Sequence, residues 1–141
     1  MKKRKKAAFM TALLTLHLLC IVLMGCTITE EGGMKLRDLE FTLVSEERLP
    51  EELKTLIAER KEEEFKFTYS DKDSLFICIG YGQQDTGGYS IAVNELYLTD
   101  QAIYVDTNLL GPSAKEKENP APSFPYVVIK TELLDKTVVF E

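Results

Sequence analysis

Tryptophan is absent, and the single histidine, His17, lies in an apolar stretch near the N-terminus. A folded region downstream of it has no imidazole of its own. Ser-His and Cys-His nucleophile–base pairs and histidine-ligated metals are thereby removed from the chemistry this chain can perform alone. Cysteine is scarce as well, occurring at Cys20, Cys26 and Cys78. Positive charge is short where nucleic acid would need it. The chain carries 17 Lys and Arg against 23 Asp and Glu, a net charge of −6, and residues 2–6 are all basic, so everything after them is more acidic still. Phosphate binding requires a surplus of Lys and Arg on one face, which excludes nucleic acid as a partner. The 141 residues suit a single domain.

What is present begins with an address. The basic cluster at 2–6 is followed by an apolar run at 7–24 and then by Gly25 and Cys26, the layout of a secretory leader. Leu23-Met24-Gly25-Cys26 resembles the lipobox of bacterial lipoproteins. That resemblance implies a signal peptide over 1–25, cleavage before Cys26 and a diacylglycerol on its thiol. The product would be held in the bacterial cell envelope, lipid-anchored on the outer face of the cytoplasmic membrane, or on the outer membrane of a Gram-negative cell. An uncleaved signal anchor is the other reading of the same run, which is long enough to cross a bilayer. Both readings put the folded part outside the cytoplasm.

Residues 26–38, with Glu30, Glu31, Gly32 and Gly33, read as a tether. In the lipoprotein reading Cys20 leaves with the leader and Cys26 is consumed by lipid. No intrachain disulfide is then available, and the core must hold the domain by itself. Cys78, inside Leu75-Phe76-Ile77-Cys78-Ile79, reads as a buried apolar thiol, not a nucleophile.

The domain is expected over 39–141. Leu39, Phe41 and Leu43 alternate with Glu40 and Thr42 and predict a strand at 39–44. Pro50 suits a first helical position, Glu51 and Glu52 suit the positive end of a helix dipole, and Leu53, Leu56 and Ile57 mark one apolar stripe. A helix is therefore predicted from 50 to about 63. From Phe65 the period becomes two. Strands are predicted at 65–69, 74–80, 89–98, 102–109, 126–131 and 137–140, with a bulge near Asn94 and Glu95, and 74–80 is apolar enough for the middle of a sheet. The pattern predicts an α+β, mostly β fold: an antiparallel sheet or sandwich-like domain with one N-terminal helix.

Two loops carry more than a hairpin needs. Gly82-Gln83-Gln84-Asp85-Thr86-Gly87-Gly88-Tyr89 joins two apolar strands, with Gly87 and Gly88 offering positive φ or close backbone approach. It reads either as a tight connection or as a binding loop. Lacking Lys and any following helix pattern, it is not a phosphate cradle. The second loop, 111–125, contains Pro112, Pro120, Pro122 and Pro125 and reads either as a linker or as a contact surface.

Gly80-Tyr81-Gly82, Thr86-Gly87-Gly88-Tyr89-Ser90-Ile91, Ile103-Tyr104-Val105, Gly111-Pro112 and Pro122-Ser123-Phe124-Pro125-Tyr126-Val127-Val128 together resemble the PrcB C-terminal domain, over about 65–141. The resemblance implies a protein-binding subunit that associates with and stabilises a surface protease. Gln83, Gln84, Thr86, Gly87, Gly88, Tyr89, Phe124 and Tyr126 are the residues taken to meet that partner.

The Thr-Gly-Gly-Tyr loop is also similar to the Thr-Thr-Gly-Tyr loop of chagasin-like protease inhibitors, so blockade of a protease cleft by residues 82–89 is the alternative. An enzyme would have to work with carboxylates alone, and no pair is singled out within an aromatic-lined cleft; a carboxylate-dependent hydrolase ranks last. No cofactor is expected. Nor is a metal, because Asp71-Lys72-Asp73 lacks the further oxygen ligands and the glycine of a calcium loop.

Overall fold

The period-two pattern after Phe65 becomes two sheets packed face to face. The computed structural model describes residues 33–115 and 121–141, so the expected leader, Cys26, most of the expected tether and Pro120 lie outside the described residues. In chain order come β1 (Lys35–Asp38), β2 (Phe41–Leu43), a 3-10 turn (Glu46–Arg48), α1 (Glu51–Arg60), β3 (Glu64–Ser70), β4 (Ser74–Tyr81), β5 (Ser90–Thr99), β6 (Ala102–Leu110), β7 (Tyr126–Glu132) and β8 (Thr137–Phe140). One sheet runs β1-β5-β6-β8, the other β2-β7-β4-β3.

Strand β4 explains the layering. Its side chains point alternately to opposite faces. Leu75, Ile77 and Ile79 join Leu39, Leu96, Ile103, Val105, Val127 and Ile129 in the layer between the sheets. Phe76 and Cys78 face the other way, where Phe65 and Val128 pack under Leu49, Leu53 and Ile57. A strand covered on both faces must be apolar throughout, which is why 75–79 shows no alternation. The order is thus sheet, sheet, helix.

Helix α1 buries Leu53 and Ile57, one turn apart, and half-buries Leu56. Glu51 and Glu52 stand in its first turn and Arg60 in its last, in keeping with the helix dipole. It stops at Arg60, short of the predicted 63. Glu63 N–H turns back to the Arg60 carbonyl at 3.0 Å, and β3 begins at Glu64. At the β3–β4 turn, the Asp71 carboxylate accepts the main-chain N–H groups of Asp73 (3.2 Å) and Ser74 (2.9 Å). Those bonds account for the aspartate as turn chemistry.

Three features depart from the sequence pattern. The sequence pattern places residues 35–38 in the tether, yet they form edge strand β1 against β5. Its Lys35, Arg37 and Asp38 hide any alternation, and neighbours supply the order: Lys35 lies 4.8 Å from the Tyr97 ring centre and Arg37 pairs with Glu132 at 2.7 Å. The expected strand at 39–44 is shorter, because Leu39 turns into the core at the corner between the sheets. Finally, β8 runs parallel to β6, whereas every other pair is antiparallel. The short connection after β7 carries the chain across to the open edge of the opposite sheet. The expected bulge is present, between Val93 and Glu95.

Candidate functional site

β4 ends in Gly80, Tyr81 and Gly82, and each residue is placed by a different contact. The Phe65 ring lies where a Cβ on Gly80 would stand, so a side chain there would displace the ring. Tyr81 donates its N–H to the Pro125 carbonyl at 3.0 Å, and its hydroxyl meets Thr107 Oγ1 at 2.8 Å. Gly82 has φ +68°, and a Cβ there would lie 3.2 Å from the main chain of Glu63 and Glu64. Close backbone approach and left-handed φ both demand glycine at this point.

The loop that follows is tied down on two sides. Gln83 N–H donates to the Glu62 carbonyl at 3.1 Å, fastening it to the segment that leaves α1. Gln84 and Ser123 exchange main-chain hydrogen bonds, at 2.8 and 3.0 Å, and form an isolated antiparallel bridge. The Gln84 side-chain amide donates to the Tyr81 carbonyl (2.9 Å), and Ser123 Oγ donates to the Thr86 carbonyl (2.6 Å). The two loops singled out in the sequence are therefore one surface. A third segment joins them: Lys61 Nζ lies 5.4 Å from the centre of the Phe124 ring.

The candidate residues divide by what they touch. Gln83 and Gly88 are exposed, while Gln84, Thr86, Gly87, Tyr89 and Phe124 are half-buried around the Gln84–Ser123 bridge. Positive φ occurs at Gly82 and Gly88 (φ +81°) and not at Gly87, where a Cβ would meet nothing within 4 Å. Gly87 is thus an open position and Gly88 the turn-making one. Tyr126 stands apart from the loop tips. Its ring packs with the helix-side cluster, and its hydroxyl donates to Glu46 at 3.1 Å. Burial, reinforced by that carboxylate, pushes its pKa up to about 12.

Lys61 and Glu62 belong to the surface but carry no sequence signal of membership, whereas Tyr81 and Ser123 stand within the pieces that carry the family resemblance without being marked as contact residues. Ser123 was visible as part of Pro-Ser-Phe-Pro; its pairing with Gln84 is long-range.

Chemically the surface offers a side-chain amide (Gln83), a carboxylate (Asp85), an aromatic ring (Phe124) and open glycine backbone at Gly87. Groups of these kinds can hydrogen-bond and pack, and none of them is a nucleophile or a general base of the sort considered above. The one free thiol among the described residues, Cys78, is fully buried under α1, and burial pushes its pKa up to about 12, which leaves it a neutral thiol at physiological pH.

Residues 75–132 match the PrcB C-terminal family. The match runs from β4 to β7 and contains both loops of the surface; it is narrower than the 65–141 read from the sequence, leaving out β3 and β8. No curated protein and no solved structure matches the chain.

Proposed function

We propose that this chain is an extracytoplasmic lipoprotein, anchored through Cys26, that binds a surface protease through the joined loops at 82–89 and 121–125 and stabilises it. The observation that carries the reading is the Gln84–Ser123 bridge. It locks two loops that are distant in sequence into one surface, within the segment that matches PrcB C-terminal, a protease-complex-subunit domain that is not by itself catalytic. A bridge of this kind is unnecessary for closing a hairpin. It also lowers the entropy a loop would lose on binding, which favours a preorganised contact surface.

The experiment is affinity capture from solubilised membranes, with the full lipidated chain as bait. Phe124→Ala and Gln83→Ala are expected to reduce capture of a protease while leaving thermal unfolding unchanged. Wild-type capture by both folded variants would remove the loops from the site. The anchor is tested separately. Cys26→Ser should abolish incorporation of labelled fatty acid and leave a product whose mass retains the leader, and a wild-type protein with no added lipid mass would establish a signal anchor instead.

Blockade of a protease by the same loop is the second reading, favoured by Gly87, around which a Cβ would find open space. A stabilising subunit raises the half-life of the captured protease; an inhibitor lowers its turnover at once. Turnover assays on the captured protease and on papain-like proteases separate the two.

A further inference from the structure

The edge strands of the two sheets are not equally protected against pairing. β1 carries Lys35, Arg37 and Asp38, and β3 carries Glu64 and Lys66. Charges on an edge discourage strand addition. β8 ends beneath Lys66, whose ammonium lies 5.8 Å from the Phe140 ring centre. β2 and β8 both lack charge, but Val138, Val139 and Phe140 of β8 are half-buried, whereas Phe41 and Leu43 of β2 are 41% and 51% exposed.

The backbone of β2 is oriented for a further strand. Val44 N–H donates to the Val128 carbonyl at 2.9 Å, and Thr42 stands opposite Lys130 in the same register. Hydrogen-bonded pairs alternate along an antiparallel ladder, so Val44 and Thr42 point their main-chain groups at β7. Phe41 and Leu43 point theirs at the open edge. The two residues with outward-facing main chain are the same two that expose apolar side chains.

We infer that β2 pairs with β2 of a second copy of this chain, antiparallel, about a two-fold axis at Thr42, joining the two β2-β7-β4-β3 sheets into one. The sequence of the edge is its own complement in this register. Phe41 of each copy stands opposite Leu43 of the other, each pair exchanging main-chain N–H and C=O groups and stacking apolar side chains on the same face. Charge agrees with the choice. Glu40 precedes the strand, and Arg48 lines the groove beside Thr42, Leu43 and Val44 at its other end. The two-fold axis brings Glu40 of one copy toward Arg48 of the other, twice. This surface lies outside the loop site and does not depend on what that site binds.

Disulfide trapping tests it. Thr42 falls in a non-hydrogen-bonded pair on the axis, where Cα atoms are about 4.5 Å apart, inside the range of about 4.4–6.8 Å that a disulfide spans. The full chain with Cys20→Ser and Cys26→Ser, purified in detergent micelles, leaves Cys78 as its natural thiol, and that thiol is buried. In this background Thr42→Cys should oxidise to a covalent dimer. Thr68→Cys, exposed on the opposite edge strand β3, should stay monomeric. Adding Leu43→Pro to Thr42→Cys should abolish the dimer, because proline removes an N–H that faces the second copy and none that faces β7. Should Leu43→Pro impair folding, as read by thermal unfolding, Phe41→Lys takes its place through like-charge repulsion. A Thr42→Cys chain that reacts with a small maleimide yet stays monomeric overturns the inference, as does equal cross-linking through Thr68→Cys. A Thr42→Cys chain that is monomeric and shielded from maleimide also overturns it, and shows that a different segment covers the edge.

Discussion

Ser123 and Gln84 hold each other by both main-chain hydrogen bonds, while the Ser123 hydroxyl reaches past Gln84 to the Thr86 carbonyl. One small residue from the proline-rich loop thus holds two residues of the glycine-rich one through three hydrogen bonds. Ser123→Ala should leave the bridge and remove the hydroxyl bond, lowering stability by about 1 kcal/mol in a denaturant titration. Ser123→Pro, which also deletes the N–H given to Gln84, should cost more and weaken partner capture further. Equal stability of wild type and Ser123→Pro would mean that the bridge contributes nothing.

The glycines of the site are not equivalent. Gly82→Ala places a Cβ at left-handed φ and against the main chain of Glu63 and Glu64, and should lower stability by more than about 1 kcal/mol. Gly87→Ala meets open space at ordinary φ and should fall within about 0.5 kcal/mol of wild type. Gly87→Val is for the same reason a usable probe of partner contact: capture that drops while the unfolding midpoint holds would locate the contact at the loop tip.

Ile77 is fully buried between the sheets, one residue from Cys78, which is fully buried beneath α1. Ile77→Ala should cost about 2–5 kcal/mol, and an exposed control such as Thr68→Ala on β3 should cost far less. A midpoint shift no larger than the control's would show that the core lies elsewhere.

Alkali should destabilise this domain. Cys78 has an ordinary value of 9.0 and Tyr126 one of 10.0, and burial raises each to about 12 in the fold. Both are acids whose charged form the fold disfavours. The stability they contribute is complete below the unfolded values and is lost as pH rises from about 9 toward 12. The unfolding midpoint should fall across that window, less steeply in Cys78→Ala and in Tyr126→Phe. At pH 8 the native Cys78 thiol should resist maleimide and react once denatured. A midpoint flat from pH 9 to 12 would contradict the burial of both groups.

How far the sequence reached can be read from particular residues. Local pattern marked α1 and β3 to β8: an apolar stripe after Pro50, Glu51 and Glu52 for the helix, alternation between turns for most strands and a continuous apolar run for β4, because burial imposes its own pattern on side chains regardless of which neighbour does the burying. It also placed the bulge near Asn94, where the alternation slips. Glycine and proline marked both loops as unusual. Tertiary structure decided the rest. β1 is an edge strand of charged residues whose order comes from Tyr97 and Glu132, and no local pattern records a partner across the sandwich. The parallel pairing of β8 depends on which sheet has a free edge when the chain arrives. Positive φ falls at Gly82 and Gly88 and not at Gly87, and the segment leaving α1 would lie 3.2 Å from a Cβ on Gly82. The joining of residues 82–89 to 121–125 rests on two main-chain hydrogen bonds, and main-chain groups are alike in every residue, so only the fold could choose Ser123 for Gln84.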